Sequence, residues 1–274
     1  MAKKTVLDLE NVPNQKGTYD EVGFYNQDRV NGLNSEIFSR LYESIQLKDG
    51  LRILDHMCRN GNLIKRTLQD FPQLKNCAFY GIDIANKQLE IGRSILGERK
   101  AKLQHGDVTS LPFPSNFFDR IVRKSGSHEI PWSDQQKVFS EIARTLKDEG
   151  IFVELTMLFE NERARNEFRE VARKKDTLAG LTELVKNRYF LTGNEIYDSL
   201  RKSGFSQVMD AHSFNYHISC NIVGEEYFDG DWRKEEFENF VKDQCPTLWE
   251  QGMIIEEDGD FVLRPTAKII VAKK

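Results

Sequence analysis

No stretch of this 274-residue chain approaches the roughly 18 to 20 consecutive apolar residues that span a bilayer, so no membrane span is expected. The opening MAKKTVLDLENVP is basic but lacks the apolar core and small-residue cleavage site of a secretory signal, which points to a cytoplasmic protein. Cysteine is sparse. Cys58, Cys77, Cys220 and Cys245 form no CxxC pair and no Cys/His cluster at zinc spacing, so they read as free thiols in a reducing compartment, with no metal expected. Excess positive charge is also missing: the formal net charge is −4, and the surface as a whole has no electrostatic footprint for nucleic acid. Repeats and low-complexity segments are absent. The rest is an ordinary globular composition, 39% hydrophobic and 30% charged, long enough for one large domain with an elaboration or for two small ones.

Residues 1–18 are polar and irregular and read as a flexible arm, followed by one domain over 19–274. Tyr19, Val22, Phe24 and Tyr25 precede a helical segment in which Ile37, Leu41 and Ile45 recur, with Phe38 and Tyr42 beside them. Strands and helices then alternate. LRILD (51–55), AFYGID (78–83), AKLQHGD (101–107), FDRIVRK (118–124) and GIFVELTML (150–158) read as strands. Helices are expected at 62–71, at 87–96 with a stop near Gly97, and at 133–147 with Ser133 as N-cap. Such alternation implies right-handed crossovers and a parallel sheet with helices on both faces. Two excursions interrupt it. The first, 159–190, is highly charged and helical and is read as a cap over the ligand crevice. The second, 221–263, carries Phe228, Trp232, Phe237, Phe240 and Trp249 among many acids. Between them lie a helix with Thr192 as N-cap, ended by Gly204, and a strand region; RPTAKIIVAKK supplies the last strand.

The stretch LRILDHMCRNGNL (51–63) is a strand ending in Asp55, a tight loop and the start of a helix. This arrangement aims the first helical N–H groups at the carboxyl edge of a sheet, where nucleotides bind. Nucleotide loops use three glycines for positive φ and close approach. Here only Gly61 is present, with Met57 and Arg59 in the other two places. Asp83, closing the second strand, offers an acceptor-only carboxylate suited to a ribose diol. Asp107 could take an adenine amine, with Val108 against the ring. His128 and Glu129 follow the fourth strand and are candidates for proton handling. The cationic run Arg163, Arg165, Arg169, Arg173, Lys174 and Lys175 is interleaved with Glu160, Glu162, Glu167 and Glu170, as on a solvated helix face laced by short-range ion pairs.

Four segments in order, ILDHMCRNGNL, YGIDIANKQLEIGR, GDVTSLPFPSNFFDRIV and LKDEGIFVE, resemble the class I S-adenosylmethionine-dependent methyltransferases that act on small molecules. The similarity covers about residues 50–158, and the helix at 193–203 and the final strand fit the family's remaining core. The resemblance implies an α/β fold: a Rossmann-like seven-stranded, mostly parallel sheet with helices on both faces, last strand antiparallel, plus helical cap insertions at about 159–190 and 221–263. It implies S-adenosylmethionine as cofactor, S-adenosylhomocysteine as product, and an O, N or C atom of a small-molecule acceptor as methyl recipient. Asp55, His56, Met57, Arg59 and Gly61 would face the methionine end, although a structural role also fits His56. Asp83 and Ile84 would face the ribose, and Asp107 and Val108 the adenine. Lys124 and Ser125 would approach the sulfonium, with His128 and Glu129 as catalytic candidates. Arg59 could pair with the cofactor carboxylate or repel the sulfonium. No nucleic-acid partner is expected, and a homodimer is compatible. Two other readings stay open, a catalytically silent binding or partner protein and an enzyme of this fold with non-methylating chemistry.

Overall fold

The computed structural model describes residues 18–20, 26–97 and 101–274. The arm at 1–18, apart from Thr18, lies outside the described residues, as do Val22, Phe24 and Tyr25. Helices α1 (Gln27–Val30) and α2 (Ser35–Ile45) precede the first strand. The alternation then runs β1 (Arg52–His56), α3 (Asn62–Asp70), β2 (Ala78–Asp83), α4 (Asn86–Leu96), β3 (Ala101–His105) and β4 (Phe118–Lys124). A 3-10 turn at Ser127–Glu129 leads into α5 (Trp132–Thr145) and β5 (Leu146–Met157). Beyond it come α6 (Glu162–Leu178), α7 (Thr182–Asn187), α8 (Gly193–Lys202), β6 (Gln207–Asn215) and β7 (Ile218–Ser219). The chain ends with α9 (Cys220–Tyr227), α10 (Asp231–Asp243), α11 (Pro246–Glu250), β8 (Ile254–Glu257), β9 (Asp260–Leu263) and β10 (Thr266–Lys273).

Seven strands form one sheet in the order β3-β2-β1-β4-β5-β10-β6, and β10 runs antiparallel to both neighbours. The period-two alternation of β5 and β10 separates two cores. Val153, Leu155, Ile269 and Val271 pack with α2, whereas Phe152, Ile270 and Ala272 pack with α5 and α8. Each of these valine, leucine, isoleucine and phenylalanine side chains, fully buried, contributes on the order of 1.5–3 kcal/mol, which is why helices cover both faces. Local signals start the helices. Asn34 caps α2 by accepting from the Ile37 N–H, and Thr192 and Glu195 form a reciprocal capping box on α8.

Three local expectations change. Ser133 lies inside α5, whose N-cap is Pro131, and its hydroxyl turns to Asp134. β5 begins at Leu146 rather than 150, because Leu146 pairs with Phe118 before a register shift in β4. The second excursion is only partly helical: β7, β9 and β8 form a separate antiparallel sheet. Its hairpin turns at Asp258 and Gly259, with φ of 51° and 77°, the pair of positive values that a two-residue type I′ turn requires. As for the charged helix, some α6 cations pair locally, as Arg173 does with Glu170 at 2.9 Å. Glu167, however, accepts from the Thr247 and Leu248 N–H groups of α11, tying the two excursions together.

Candidate active site

The loop from β1 to α3 keeps the backbone of a glycine-rich turn without its glycines. Met57, Arg59 and Gly61 have φ of 63°, 51° and 69°, a conformation that costs a side-chain-bearing residue roughly 1–2 kcal/mol. Two features hold it. The Arg59 N–H donates to Asp83 Oδ2 at 2.8 Å. Gly92 of α4 lets that helix press on the loop, since a Cβ there would stand 2.9 Å from the Asn60 carbonyl oxygen. The Met57 side chain finds its room against another glycine: a Cβ on Gly126 would lie 2.8 Å from the Met57 Sδ. Arg59 turns away from the large hollow beside it, donating to Gln27 Oε1 at 2.8 Å with its guanidinium 5.1 Å from the Tyr19 ring.

At the carboxyl edge of the sheet Met57 borders a large hollow, about 1350 Å³ with the open solvent at its mouth included, whose walls also hold Asp83, Ile84, Asp107, Val108 and Glu129. The Asp83 carboxylate also accepts from the Ala85 N–H at 2.9 Å. A carboxylate has about four acceptor positions, so two remain for a diol. Burial pushes Asp83 up to about 6, against the lowering by its two backbone donors. Asp107 is more exposed and uses one oxygen to bind the Thr109 N–H at 2.8 Å, so the turn-forming role and an outward-facing oxygen coexist. A smaller hollow of about 300 Å³ adjoins, lined by Asp55, Met57, Arg59 and Lys124 among others. Burial pushes Asp55 up to about 7, opposed by Lys124 and reinforced by Asp83. Lys124 itself is paired with Asp28.

A third space of about 590 Å³ lies on the other side of the 3-10 turn and includes His128 and Tyr19 in its wall. Tyr19 borders the large hollow as well. Its hydroxyl donates to Glu129 Oε1 at 2.5 Å, and Arg188 reaches the same oxygen at 3.5 Å. Arg188 is anchored in turn by Asp176, Nη2 to Oδ1 at 3.0 Å. His128 stacks on Phe190, with centroids 5.1 Å apart and planes at 7°. Burial, and after it the nearby Arg188 charge, hold its imidazole well below the usual histidine range; it is neutral at neutral pH, and its Nδ1 has no partner among the described residues.

The remaining candidates lie apart from these spaces. His56 is fully buried in register with Arg123, lines none of the three, and is kept neutral by burial and then by Arg123. Gly61 caps α3 without a side-chain bond, and Ser125, with φ of 57°, bonds the Tyr216 hydroxyl at 2.7 Å. Sequence reasoning did not single out Arg188, Asp176 or Gln27. No local pattern marks them, because their partners are 12 to 169 residues away in the chain.

A family model described as "Methyltransferase domain" matches residues 53–150. An uncharacterized methyltransferase, YcgJ of Bacillus subtilis, is 33% identical over 85 residues, 30% of this chain and 32% of that protein. The crystal structure of YcgJ superimposes with a TM-score of 0.70 at 19% identity, covering 86% of this chain and 99% of the other. A demethylmenaquinone methyltransferase of Geobacillus is 34% identical over 74 residues, 26% of this chain and 31% of that one. Geranyl diphosphate C-methyltransferase of Streptomyces coelicolor, solved with S-adenosylhomocysteine, shares the fold at a TM-score of 0.57 and 12% identity over 88% of this chain and 79% of its own. The chain spans about a third of the length of the first two curated relatives. Residues 53–150 thus match a methyltransferase domain, and the seven-stranded sheet ordered β3-β2-β1-β4-β5-β10-β6, with β10 antiparallel, has the fold of the class I S-adenosylmethionine-dependent methyltransferases.

Proposed function

We propose that the protein transfers a methyl group from S-adenosylmethionine to an O, N or C atom of a small-molecule acceptor. The observation that carries this reading is Asp83. It closes β2, faces the large hollow, anchors the strained loop through the Arg59 N–H and keeps two acceptor positions unused by its backbone donors. Asp83 and Ile84 would hold the ribose, and Asp107 with Val108 the adenine. Asp55, Arg59 and Lys124 surround the hollow for the charged methionine end. When bound, the cofactor supplies an electrophilic methyl group; positioning of the nucleophile supplies much of the rate. His128, neutral and lining the space beyond the 3-10 turn, would take a proton from the nucleophile. Glu129, bonded to Tyr19 and Arg188, holds that turn in place. The relatives named for demethylmenaquinone and geranyl diphosphate are methyltransferases of small molecules, in keeping with this reading. Calorimetric titration with S-adenosylmethionine and S-adenosylhomocysteine tests the proposal; failure of both to bind at millimolar ligand returns the chain to the silent reading. With an acceptor in hand, His128→Ala is expected to lower kcat by about 10²- to 10⁴-fold with little change in cofactor affinity, and a change in affinity alone would remove it from proton handling.

Affinity should also depend on pH. A ribose diol needs the ionised form of Asp83, whose pKa of about 6 predicts a plateau above neutrality and a loss of up to roughly tenfold per unit below 6. The empty protein responds in the opposite sense. Because the folded pKa is raised, the folded state holds the proton more tightly, so this group's contribution is full below about 4 and is lost as pH rises through about 6. Titrations with S-adenosylhomocysteine between pH 5 and 8 would show the profile, and Asp83→Asn should remove the step near 6, leaving only what Asp55, near 7, contributes at the methionine end. A native profile already flat would refute the assignment.

A further inference from the structure

Resting on that reading, we infer that the space beyond the 3-10 turn, lined by Tyr19 and His128, is the acceptor chamber, and that it takes an uncharged, largely apolar molecule with its nucleophilic atom at the Tyr19 and His128 end. The partition is one turn thick: Glu129 lines the large hollow, His128 lines the chamber, and Tyr19 borders both. The far wall is hydrocarbon and aromatic, built from Val30, Phe168, Val171, Val223, Phe237 and Leu263. Polar groups gather at the near end, and His128, only 8% exposed, has Nδ1 without a partner among the described residues.

Charge decides the class. Among the described lining residues the only formally charged side chains are Lys175 and Arg188. Lys175 lies 2.6 Å from Asp176, and Arg188 is bonded to Asp176 and reaches Glu129 at 3.5 Å. Among the described residues two cations therefore face two acids, and they leave no net charge over for an ionised ligand. A carboxylate, phosphate or ammonium buried there would lack a counter-charge or would have to break this set, either at a cost of several kcal/mol.

A matched pair of probes tests this on the full chain with S-adenosylhomocysteine present: uncharged N-phenylnaphthylamine and anilinonaphthalene sulfonate, the same ring system carrying an anion. Fluorescence titration should show the uncharged probe bound roughly tenfold or more tightly than the sulfonate. Ala172→Phe and Val223→Phe, which fill the chamber from α6 and α9, should each weaken the uncharged probe by roughly tenfold while S-adenosylhomocysteine affinity and melting temperature stay near native. Equal or tighter binding of the sulfonate overturns the proposal, as does native probe affinity in both filled variants. Loss of S-adenosylhomocysteine binding in the native chain is a separate failure. It removes the cofactor reading, and with it the role of acceptor, whatever the probes do.

Discussion

Asp83→Ala is expected to raise the dissociation constant for S-adenosylhomocysteine by roughly a hundredfold. Hydrogen bonds to a charged acceptor are worth about 1.5–3 kcal/mol each, and the two that a ribose diol would make therefore total about 3 kcal/mol or more, with each 1.4 kcal/mol a factor of ten. The loss has a second source. The same carboxylate accepts from the Arg59 and Ala85 N–H groups, so its removal also frees a loop whose φ values at Met57 and Arg59 are left-handed. Asp83→Asn keeps one acceptor oxygen and should fall between the two. Calorimetry on variants whose melting transitions remain cooperative measures the effect; unchanged affinity in Asp83→Ala would mean that the ribose lies elsewhere.

Glu154→Leu is expected to destabilise the fold by about 3–5 kcal/mol, because it would leave a guanidinium buried without its counter-charge. Arg123 and Glu154 are neighbours on β4 and β5, both side chains have no solvent exposure, and Arg123 Nε donates to Glu154 Oε2 at 2.7 Å. Burial pushes the Glu154 carboxyl up and Arg123 opposes it, so the pair is held together against its own desolvation. Arg123 also lies 4.8 Å over the Phe139 ring. Replacing both residues, Arg123→Met with Glu154→Leu, should recover most of the loss, because apolar residues of similar volume avoid the desolvation entirely. Denaturant unfolding of the two single variants and the double completes the cycle. A single Glu154→Leu variant within about 1 kcal/mol of native stability would show that water or a rearranged Arg123 relieves the charge.

The legible part of the site was the part set by short-range chemistry. Asp83 stands at the end of an apolar run, one helix after the first loop, and parallel-strand geometry then dictates which edge it occupies. Asp107 and Val108 follow from the same rule, and all three line the large hollow. The β8–β9 hairpin was equally legible, since Asp258-Gly259 between IIEE and DFVL is a strong local hairpin signal, and the aromatic content of that segment drew attention away from it. His56 misleads for the opposite reason. It neighbours Asp55 in the chain, but adjacent residues of a strand point to opposite faces, so one borders a hollow and the other enters the core.

By itself the sequence determined the alternating α/β architecture, the carboxyl-edge acids and the absence of a long apolar span, because periodicity and chain-local turns encode these within a few residues. Only the tertiary structure decided that Met57 could occupy a glycine's place, by seating its thioether against Gly126. It also decided that Tyr19, Glu129, Arg188 and Asp176 form one network. Those outcomes depend on side chains far apart in the chain competing for the same small volume and the same counter-charge, and that competition exists only once the chain has packed.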